Sequence, residues 1–341
     1  MRKLLSGFVS VFVLIAGSVI PLEEALAAGA PVSAVSVVLM DGTTHRLLYG
    51  KNFNSKRAPA STTKVLTALV VVEHMDLNTV VTVPESVESV EPSKIHLAGG
   101  ERYRVRDLLR ATLINSANDA AETLAVAAGG SRAGFAQMMN EKARSIGCKN
   151  SHFLRASGLP AEDQYSTALD MALIMSAAQR NTFILETMKM KTTTIESLSG
   201  RQIALKNHNK MLLRGSTEVI GKTGWTRNAK HCFVGQIKLF DRTAVIAMLG
   251  SKALWRDLRT LLNYGSRLVK KNRSLGLGPA AVFDAKRVQR ALKQAGFYSG
   301  DVDGIMGPQT KNAVKKFQQS EGLRADGQAG PETQKALSRF W

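Results

Sequence analysis

The chain has 341 residues, of which 44% are hydrophobic and 21% are charged, and its formal charge is +19 at pH 7. This composition excludes a disordered or collagen-like chain, and the length allows one large domain and a smaller one. The positive charge predicts attraction to an anionic surface such as a wall polymer. Nucleic acid is not an expected partner, because the sequence holds no nucleic-acid reading motif and starts with an export signal.

The N-terminus combines two cations with a long apolar run. Arg2 and Lys3 precede the run over residues 4–20, and an Ala-Leu-Ala triplet at 25–27 fits a small-x-small cleavage site. This order is typical of a secretory signal peptide, so residues 1–27 are predicted to be removed on export. An uncleaved membrane anchor is the alternative, because the run approaches spanning length. No later segment is apolar enough to cross a bilayer, so no stable membrane span is expected after cleavage.

Strand patterns begin and end the region 33–268, and helical patterns lie between them. Two strands joined by a turn at Asp41-Gly42 come first, and VIGKTGWT, KHCFVGQIKLF and TAVIAMLGS follow late in the region. Strands at both ends with helices between them predict an α+β fold, in which helices flank an antiparallel sheet. One helix is predicted to begin at Ser61, and others are predicted over residues 105–115, 120–129 and 253–269. Two more are predicted to follow caps, one at Ser131 and one at Ser166 or Thr167.

The C-terminal part contains an internal repeat. Residues 269–281 are polar, bear glycine and lack periodicity, which predicts a linker. Beyond the linker, DGIMGPQTKNAV realigns with DGQAGPETQKAL after a shift of 23 residues. A Gly-Pro pair opens a helix in both copies, with proline at the first helical position. With one preceding helix, the two copies predict a small three-helix module over residues 282–341.

The cysteines and histidines do not form a recognisable metal site. Cys148 follows a helical pattern and Cys232 lies in a strand pattern, so two buried free thiols are expected although export permits a disulfide. The six histidines are scattered without i, i+4 spacing, and the sequence contains no C-x-x-C pair. We therefore expect neither a metal nor a cofactor.

Three short motifs carry the chemistry. Ser61 and Lys64 form S-x-x-K at the start of a helix, Ser116 and Asn118 form S-x-N where a helical pattern is interrupted, and residues 222–224 form K-T-G on a late strand. In this order the motifs mark active-site serine enzymes that react with β-lactams and D-alanyl peptides. Each motif alone is weak, whereas the ordered set after an export signal is specific.

The first motif supplies a nucleophile and a base. A serine hydroxyl needs a base within hydrogen-bond reach, and residues three apart share a helix face, so we expect Lys64 to activate Ser61. This role requires a lysine pKa well below the ordinary value of about 10.4. Burial and a second cation, Lys222, would lower the pKa. The N–H groups of Ser61 and Trp225 are candidates for an oxyanion hole.

The other motif residues are expected to handle the substrate. Ser116 can relay a proton to the leaving amine, and Asn118 can hydrogen-bond the substrate amide. Lys222 and Thr223 can hold a terminal carboxylate. Gly224 lets the substrate backbone lie against the edge of its strand.

Residues 33–268 resemble the serine D-Ala-D-Ala carboxypeptidases, which are low-molecular-mass penicillin-binding proteins. The similarity extends over APASTTKVLTAL, LLRATLINSANDAAETLA, SHFLRASGLPAEDQYSTALDMALI and NHNKMLLRGSTEVIGKTGWT. The resemblance implies a β-lactamase/transpeptidase-like fold, an acyl-enzyme on Ser61 with Lys64 as base, and covalent inhibition by β-lactams. It also implies removal of the terminal D-alanine from stem pentapeptides of peptidoglycan in the periplasm or cell wall of a bacterium. The C-terminal repeat resembles a peptidoglycan-binding module, which implies anchoring to the wall polymer.

Several alternatives remain open on the sequence. A class A β-lactamase would add a glutamate within E-x-x-L-N, and Glu162 in GLPAEDQYS does not match. A D,D-endopeptidase that cuts cross-links attacks the same carbonyl, so the motifs do not separate it, whereas a non-catalytic wall-binding protein is disfavoured by the intact motifs. Here Ala229 is followed by Lys230 and His231 where the family more often has an Ala-Gly pair. His231 suggests a Ser-His arrangement, although Lys64 already fills the role of base.

Overall fold

The computed structural model describes residues 12–15, 18–21, 30–45, 47–240, 242–274, 285–302 and 306–340. Most of the predicted signal peptide and residues 275–281 of the predicted linker lie outside this part. Near the N-terminus, two short strands pair antiparallel, β1 (Phe12–Ile15) with β2 (Ser18–Pro21). The chain divides into one unit over Ser33–Leu262 and another that comprises Met1–Val32 and Asn263–Trp341.

A five-stranded antiparallel sheet forms the frame of the first unit. Its spatial order is β4-β3-β11-β10-β9, so the first strands of the unit pair with the last ones. Strand β9 therefore lies at one edge of the sheet. The predicted α+β fold with an antiparallel sheet is confirmed. The strands are β3 (Ser36–Asp41), β4 (Leu47–Lys51), β9 (Val219–Thr226), β10 (Lys230–Leu239) and β11 (Arg242–Ser251).

Helices pack against this sheet, and two of them are buried on nearly all sides. Helix α1 (Lys64–His74) is buried from its first residue to Val71, and α5 (Ala168–Ala178) is apolar on every face. A helix that is apolar all round belongs in the interior, and these two form the centre of the core. The other helices of this unit are α2 (Val105–Ile114), α3 (Asn118–Gly129), α4 (Arg132–Ser145), α6 (Thr182–Lys189) and α7 (Lys210–Leu213).

Two small hairpins complete the first unit, and the sequence patterns had indicated neither. One pairs β5 (Val80–Thr82) with β6 (Arg102–Arg104), and the other pairs β7 (Thr192–Glu196) with β8 (Gln202–Lys206). Their strands alternate buried and exposed residues over only three to five positions. Such short alternation is a weak signal in a sequence.

The helix ends largely follow the predicted caps. The side chain of Ser131 accepts a hydrogen bond from the N–H of Gly134, and that of Thr167 accepts one from Asp170, so both caps are confirmed. The helix predicted to begin at Ser61 begins at Lys64 instead. Ser61 lies in a short 3-10 turn before α1, and neither the turn nor the helix has a side-chain cap.

The helix that closes the first unit is longer than predicted. Helix α8 (Leu254–Ser274) continues through residues 269–274, which were assigned to the linker. Lysine and arginine favour helices, so their presence in this stretch does not end one. At its other end, the buried carboxylate of Asp257 accepts hydrogen bonds from Ser33, Ala34 and Ser251. These bonds tie the start of α8 to the end of β11 and to the segment before β3.

The C-terminal residues form three helices, α9 (Ala285–Gln294), α10 (Pro308–Ser320) and α11 (Pro331–Leu337). Glycine caps α10 and α11 with nearly identical backbone angles, φ −70° and −67° with ψ 177° in both, and proline follows in each case. Buried glutamines bond the threonine two residues after each proline, Gln289 to Thr310 and Gln318 to Thr333. The internal repeat is therefore also a repeat of turn and hydrogen-bond chemistry.

The described part of the chain contains no helix that is both long and apolar enough to span a membrane.

Candidate active site

The nucleophile and the base predicted from S-x-x-K touch each other. Ser61 lies in the 3-10 turn Ala60–Thr63, and Lys64 begins α1 directly after it. The Lys64 Nζ lies 3.0 Å from the Ser61 Oγ. Lys64 is fully buried, whereas Ser61 keeps part of its surface open. The side chain of Ser61 is therefore available to a substrate while its partner amine is withdrawn from water.

Two further oxygens fix the position of the lysine amine. The Nζ of Lys64 donates to the Oδ1 of Asn118 and to the backbone carbonyl of Ser157, both at 2.6 Å. Asn118 is the first residue of α3, and Ser116 just before it has a positive φ of 61°. This unusual backbone interrupts the helical pattern, as S-x-N had indicated, and brings both polar side chains into the site.

The lysine of K-T-G completes the cluster. Lys222 is buried on β9, and its Nζ donates to the Ser116 Oγ at 2.8 Å and to the carbonyl oxygen of Thr223 at 2.7 Å. The hydrogen bonds described for Ser116 thus connect it to Lys222 rather than to Lys64. The structure brings Ser61, Lys64, Ser116, Asn118 and Lys222 together in one connected group.

Both lysines are buried, and none of the salt bridges described pairs either of them with a carboxylate. Burial of an unpaired ammonium group lowers its pKa. Burial, and then the positive charge of Lys222, hold the pKa of Lys64 well below its usual range, while Glu122 and Asp119 oppose this shift. Burial lowers the pKa of Lys222 to about 7. A neutral Lys64 amine can accept the proton of Ser61, which a protonated lysine cannot.

Strand β9 runs very close to the turn that carries the nucleophile. A Cβ atom placed on Gly224 would lie 2.9 Å from the Ser61 nitrogen and 3.0 Å from the Thr62 nitrogen. Only glycine allows this approach. The next residue, Trp225, has a side chain that is 59% exposed. This close approach places β9 directly against the Ser61 N–H, one of the two predicted oxyanion-hole donors.

His231 and Glu162, which the sequence analysis considered as functional residues, are not part of the cluster. His231 lies opposite Trp225 on β10, with ring centroids 6.4 Å apart. Within the described residues no hydrogen bond joins His231 to Ser61 or Lys64, so the structure does not arrange a Ser-His pair. Glu162 is exposed on a loop.

Three residues of the site carried no sequence signal. Ser157 supplies the carbonyl that accepts from Lys64, and Glu122 bonds the same serine. His208, in the loop before α7, is close enough to the two lysines to be affected by their charges. Partial burial of the ring, and then the positive charges of Lys222 and Lys64, lower the pKa of His208, although part of the residue remains exposed.

The two cysteines are buried and unpaired, as expected. Burial raises the pKa of the Cys232 thiol to about 11, and burial also raises that of Cys148. A protonated buried thiol is a poor nucleophile. Neither cysteine competes with Ser61.

Family comparisons identify two segments of the chain. Residues 23–253 match a family described as D-alanyl-D-alanine carboxypeptidase. Residues 284–337 match a family described as a peptidoglycan binding domain.

Individual relatives agree with the first match. The D-alanyl-D-alanine carboxypeptidase DacB2 of Mycobacterium tuberculosis is 34% identical over 239 residues, which cover 68% of this chain and 81% of the relative. The D-alanyl-D-alanine carboxypeptidase DacF of Bacillus subtilis is 33% identical over 224 residues, and the match spans 64% of this chain but only 57% of the relative. Among solved structures, the Streptomyces K15 DD-transpeptidase superposes with a TM-score of 0.64 at 29% identity, covering 69% of this chain and 98% of that one.

Proposed function

This chain belongs to the D-alanyl-D-alanine carboxypeptidase family, and we propose that it removes the terminal D-alanine from peptidoglycan stem pentapeptides through an acyl-enzyme on Ser61. The observation that carries this proposal is the 3.0 Å contact between the Ser61 Oγ and the Nζ of a fully buried lysine, Lys64. A buried lysine with a lowered pKa is the base that a serine nucleophile needs near neutral pH. Penicillin, which presents a similar carbonyl, would acylate the same oxygen.

The first step of the reaction joins the substrate to Ser61 in a tetrahedral intermediate. The neutral amine of Lys64 takes the proton of Ser61, and the Oγ attacks the carbonyl carbon of the penultimate D-alanine. The negative charge that develops on the carbonyl oxygen is held by the N–H groups of Ser61 and Trp225. Lys222 and Thr223 bind the terminal carboxylate of the substrate.

Collapse of this intermediate forms the acyl-enzyme and releases D-alanine, and hydrolysis then releases the shortened peptide. The C–N bond breaks, and the proton taken by Lys64 reaches the departing amine through the hydroxyl of Ser116, which Lys222 holds by its hydrogen bond. Asn118 hydrogen-bonds the substrate amide throughout. Water then attacks the ester, Lys64 accepts a proton from that water, and the proton returns to the Ser61 oxygen as the shortened peptide leaves.

A product analysis tests which bond is cut. The purified protein would be incubated with a pentapeptide muropeptide and, separately, with a cross-linked dimer, and the products would be weighed by mass spectrometry. A carboxypeptidase releases one D-alanine from the pentapeptide and leaves the dimer joined. Conversion of the dimer to monomers would show a D,D-endopeptidase, and rapid turnover of penicillin with neither peptide cut would show a β-lactamase.

The close approach at Gly224 gives a specific prediction. We expect Gly224→Ala to slow acylation by fluorescent penicillin roughly 100-fold, because the added Cβ must push β9 away from the Ser61 N–H and so misplace the oxyanion hole. Gly330→Ala is the matched control, since a Cβ at that position meets no atom within 4 Å. Equal acylation rates for the two variants would show that β9 does not form the hole.

We further propose that the protein is exported with residues 1–27 as its signal and acts in the periplasm or cell wall. Residues 282–341 would then hold it on peptidoglycan. The matching family and the self-contained hydrophobic core of α9 to α11 support this role. Tethering raises the local concentration of substrate at the active site.

Removing the C-terminal module is expected to separate chemistry from anchoring. A chain ending at Ser274 should cleave a small soluble pentapeptide about as fast as the full chain, because the catalytic cluster is complete without the module. It should lose most of its sedimentation with insoluble wall sacculi when salt is high enough to screen the attraction of a basic protein for the wall. If the shortened chain sediments at high salt as well as the full chain does, the module is not the anchor.

A further inference from the structure

Helix α3 contacts the base of the site through two side chains one turn apart. Asn118 and Glu122 occupy positions i and i+4, so they lie on one face of the helix. Asn118 accepts directly from the Lys64 Nζ at 2.6 Å. Glu122 reaches the same amine through Ser157. Its Oε1 accepts from the Ser157 Oγ at 2.7 Å and from the Ser157 N–H at 3.2 Å, and the Ser157 carbonyl accepts from Lys64.

The carboxylate is buried and its other oxygen is also paired. Glu122 is 4% exposed, and its Oε2 lies 3.3 Å from the Nε of Arg132 on α4. A carboxylate withdrawn from water is costly unless it is paired and hydrogen-bonded. Both oxygens of Glu122 meet this condition, so its orientation toward Ser157 is fixed.

The segment that carries Ser157 has no room to shift. Gly158 follows it with a positive φ of 74°, and a Cβ at that position would lie 2.0 Å from the carbonyl oxygen of Ala60. The backbone at Ser157 is therefore pressed against the turn that carries Ser61. A displacement of this segment would move both the acceptor of Lys64 and the nucleophile.

From this geometry we propose that Glu122 is a positioning residue for the general base: through Ser157 it fixes the Lys64 amine beside Ser61, and its negative charge sets how readily that amine gives up its proton. The proposal rests on the proposed function of Ser61 and Lys64. Glu122 belongs to none of the three motifs, and it acts without touching the substrate.

The charges that face Lys64 determine the sign of the expected effects. Lys222 on β9 lowers the pKa of Lys64, and Glu122 and Asp119 on α3 raise it. Arg132 pairs with Glu122 from α4, and the charges of both lysines act on His208 in the loop before α7. Removing the charge of Glu122 should therefore lower the pKa of Lys64. Removing the charge of Arg132 should raise that pKa, because Glu122 is then less neutralised.

The pH dependence of acylation by fluorescent penicillin tests the charge effect. We expect the acidic midpoint of the second-order rate to fall by roughly half a pH unit or more in Glu122→Gln. It should rise in Arg132→Gln. Glu141→Gln is the matched control, since Glu141 is exposed on α4 and bonds only Gln137 among the hydrogen bonds described. Opposite shifts in the two variants would not arise from general loosening of the fold.

The rate on the alkaline plateau tests the positioning effect. Glu122→Gln keeps an oxygen for Ser157 and should stay within about threefold of the wild-type rate, whereas Glu122→Ala should lose roughly 10- to 100-fold. Ser157→Ala keeps the carbonyl but loses the 2.7 Å bond to Glu122. Its rate should lie between those of Glu122→Gln and Glu122→Ala. If Glu122→Ala does not fold, the plateau rate of Ser157→Ala tests the positioning effect in its place.

A second measurement does not depend on acylation. In protein labelled with ε-13C lysine, the Lys64 Cε signal, assigned from its absence in Lys64→Arg, reports the titration of the amine directly. If wild-type protein forms no penicillin adduct, the proposed function fails while this titration still tests Glu122. Unchanged Lys64 midpoints in both Glu122→Gln and Arg132→Gln, or a wild-type rate in Glu122→Ala, would overturn the proposal.

Discussion

Ser61→Ala is expected to abolish covalent reaction with penicillin and to reduce pentapeptide cleavage by on the order of 10⁴-fold or more, because Ser61 supplies the one hydroxyl that contacts Lys64 among the hydrogen bonds described. The change removes one partly exposed oxygen and leaves the fold intact. Incubation with penicillin, digestion and peptide mass mapping would show an adduct on Ser61 in the wild type and none in the variant. Ser145→Ala, on the surface of α4, is the matched control and should react normally.

The same mapping identifies the nucleophile without assuming it. An adduct on Ser116 or any other residue of folded wild-type protein would contradict the assignment of Ser61. An adduct that persists in Ser61→Ala would contradict it as well.

Lys64→Met is expected to lower the acylation rate by roughly 10²–10⁴-fold, the usual contribution of a positioned general base. Methionine fills a similar volume and cannot accept the serine proton. The measurement is the second-order rate with fluorescent penicillin between pH 5 and pH 10. In wild-type protein this rate should fall as the pH drops through the lowered pKa of Lys64, since the protonated amine is no base, and in the variant the dependence should disappear.

Lys222→Met separates the second lysine from the first. Its loss removes the partner of Ser116 and the cation for the substrate carboxylate, so a large loss of rate is again expected. The acid-side dependence that belongs to Lys64 should persist, but its midpoint should rise because the neighbouring positive charge is gone. Lys189→Met, whose lysine is exposed and paired with Glu186, is the control.

If Lys64→Met reacts at the normal rate, Lys64 is not the base, and His231 becomes the candidate for that role.

The pairing of nucleophile and base was predictable because it depends on local geometry. Ser61 and Lys64 are three residues apart at a helix start, and a turn or helix brings such a pair together whatever the rest of the chain does. The caps at Ser131 and Thr167 were predictable for the same reason. The ordered motifs added Ser116 and Lys222, although their contact spans 106 residues, because the order itself is informative.

The remaining parts of the site depend on contacts that no local pattern records. Ser157 reaches Lys64 across 93 residues and Glu122 across 35, and both look like ordinary helix or loop residues in the sequence. Ser61 lies in a 3-10 turn before α1 begins and caps neither element, so its hydroxyl is free to contact the lysine. The hairpin of β7 and β8 was missed because its strands are short and half exposed.

The burial of the two lysines also makes the stability of the folded chain depend on pH. Burial holds the pKa of Lys222 at about 7 in the folded chain, against about 10.4 in an unfolded one. Between these values the unfolded chain binds the additional proton, so the contribution of this lysine to the free energy of unfolding rises with pH across that window and is smallest below it. The cost at and below neutral pH is on the order of a few kcal/mol, and Lys64 acts in the same direction. The same burial that makes Ser61 reactive therefore lowers the free energy of unfolding as the pH falls from the alkaline range to neutral.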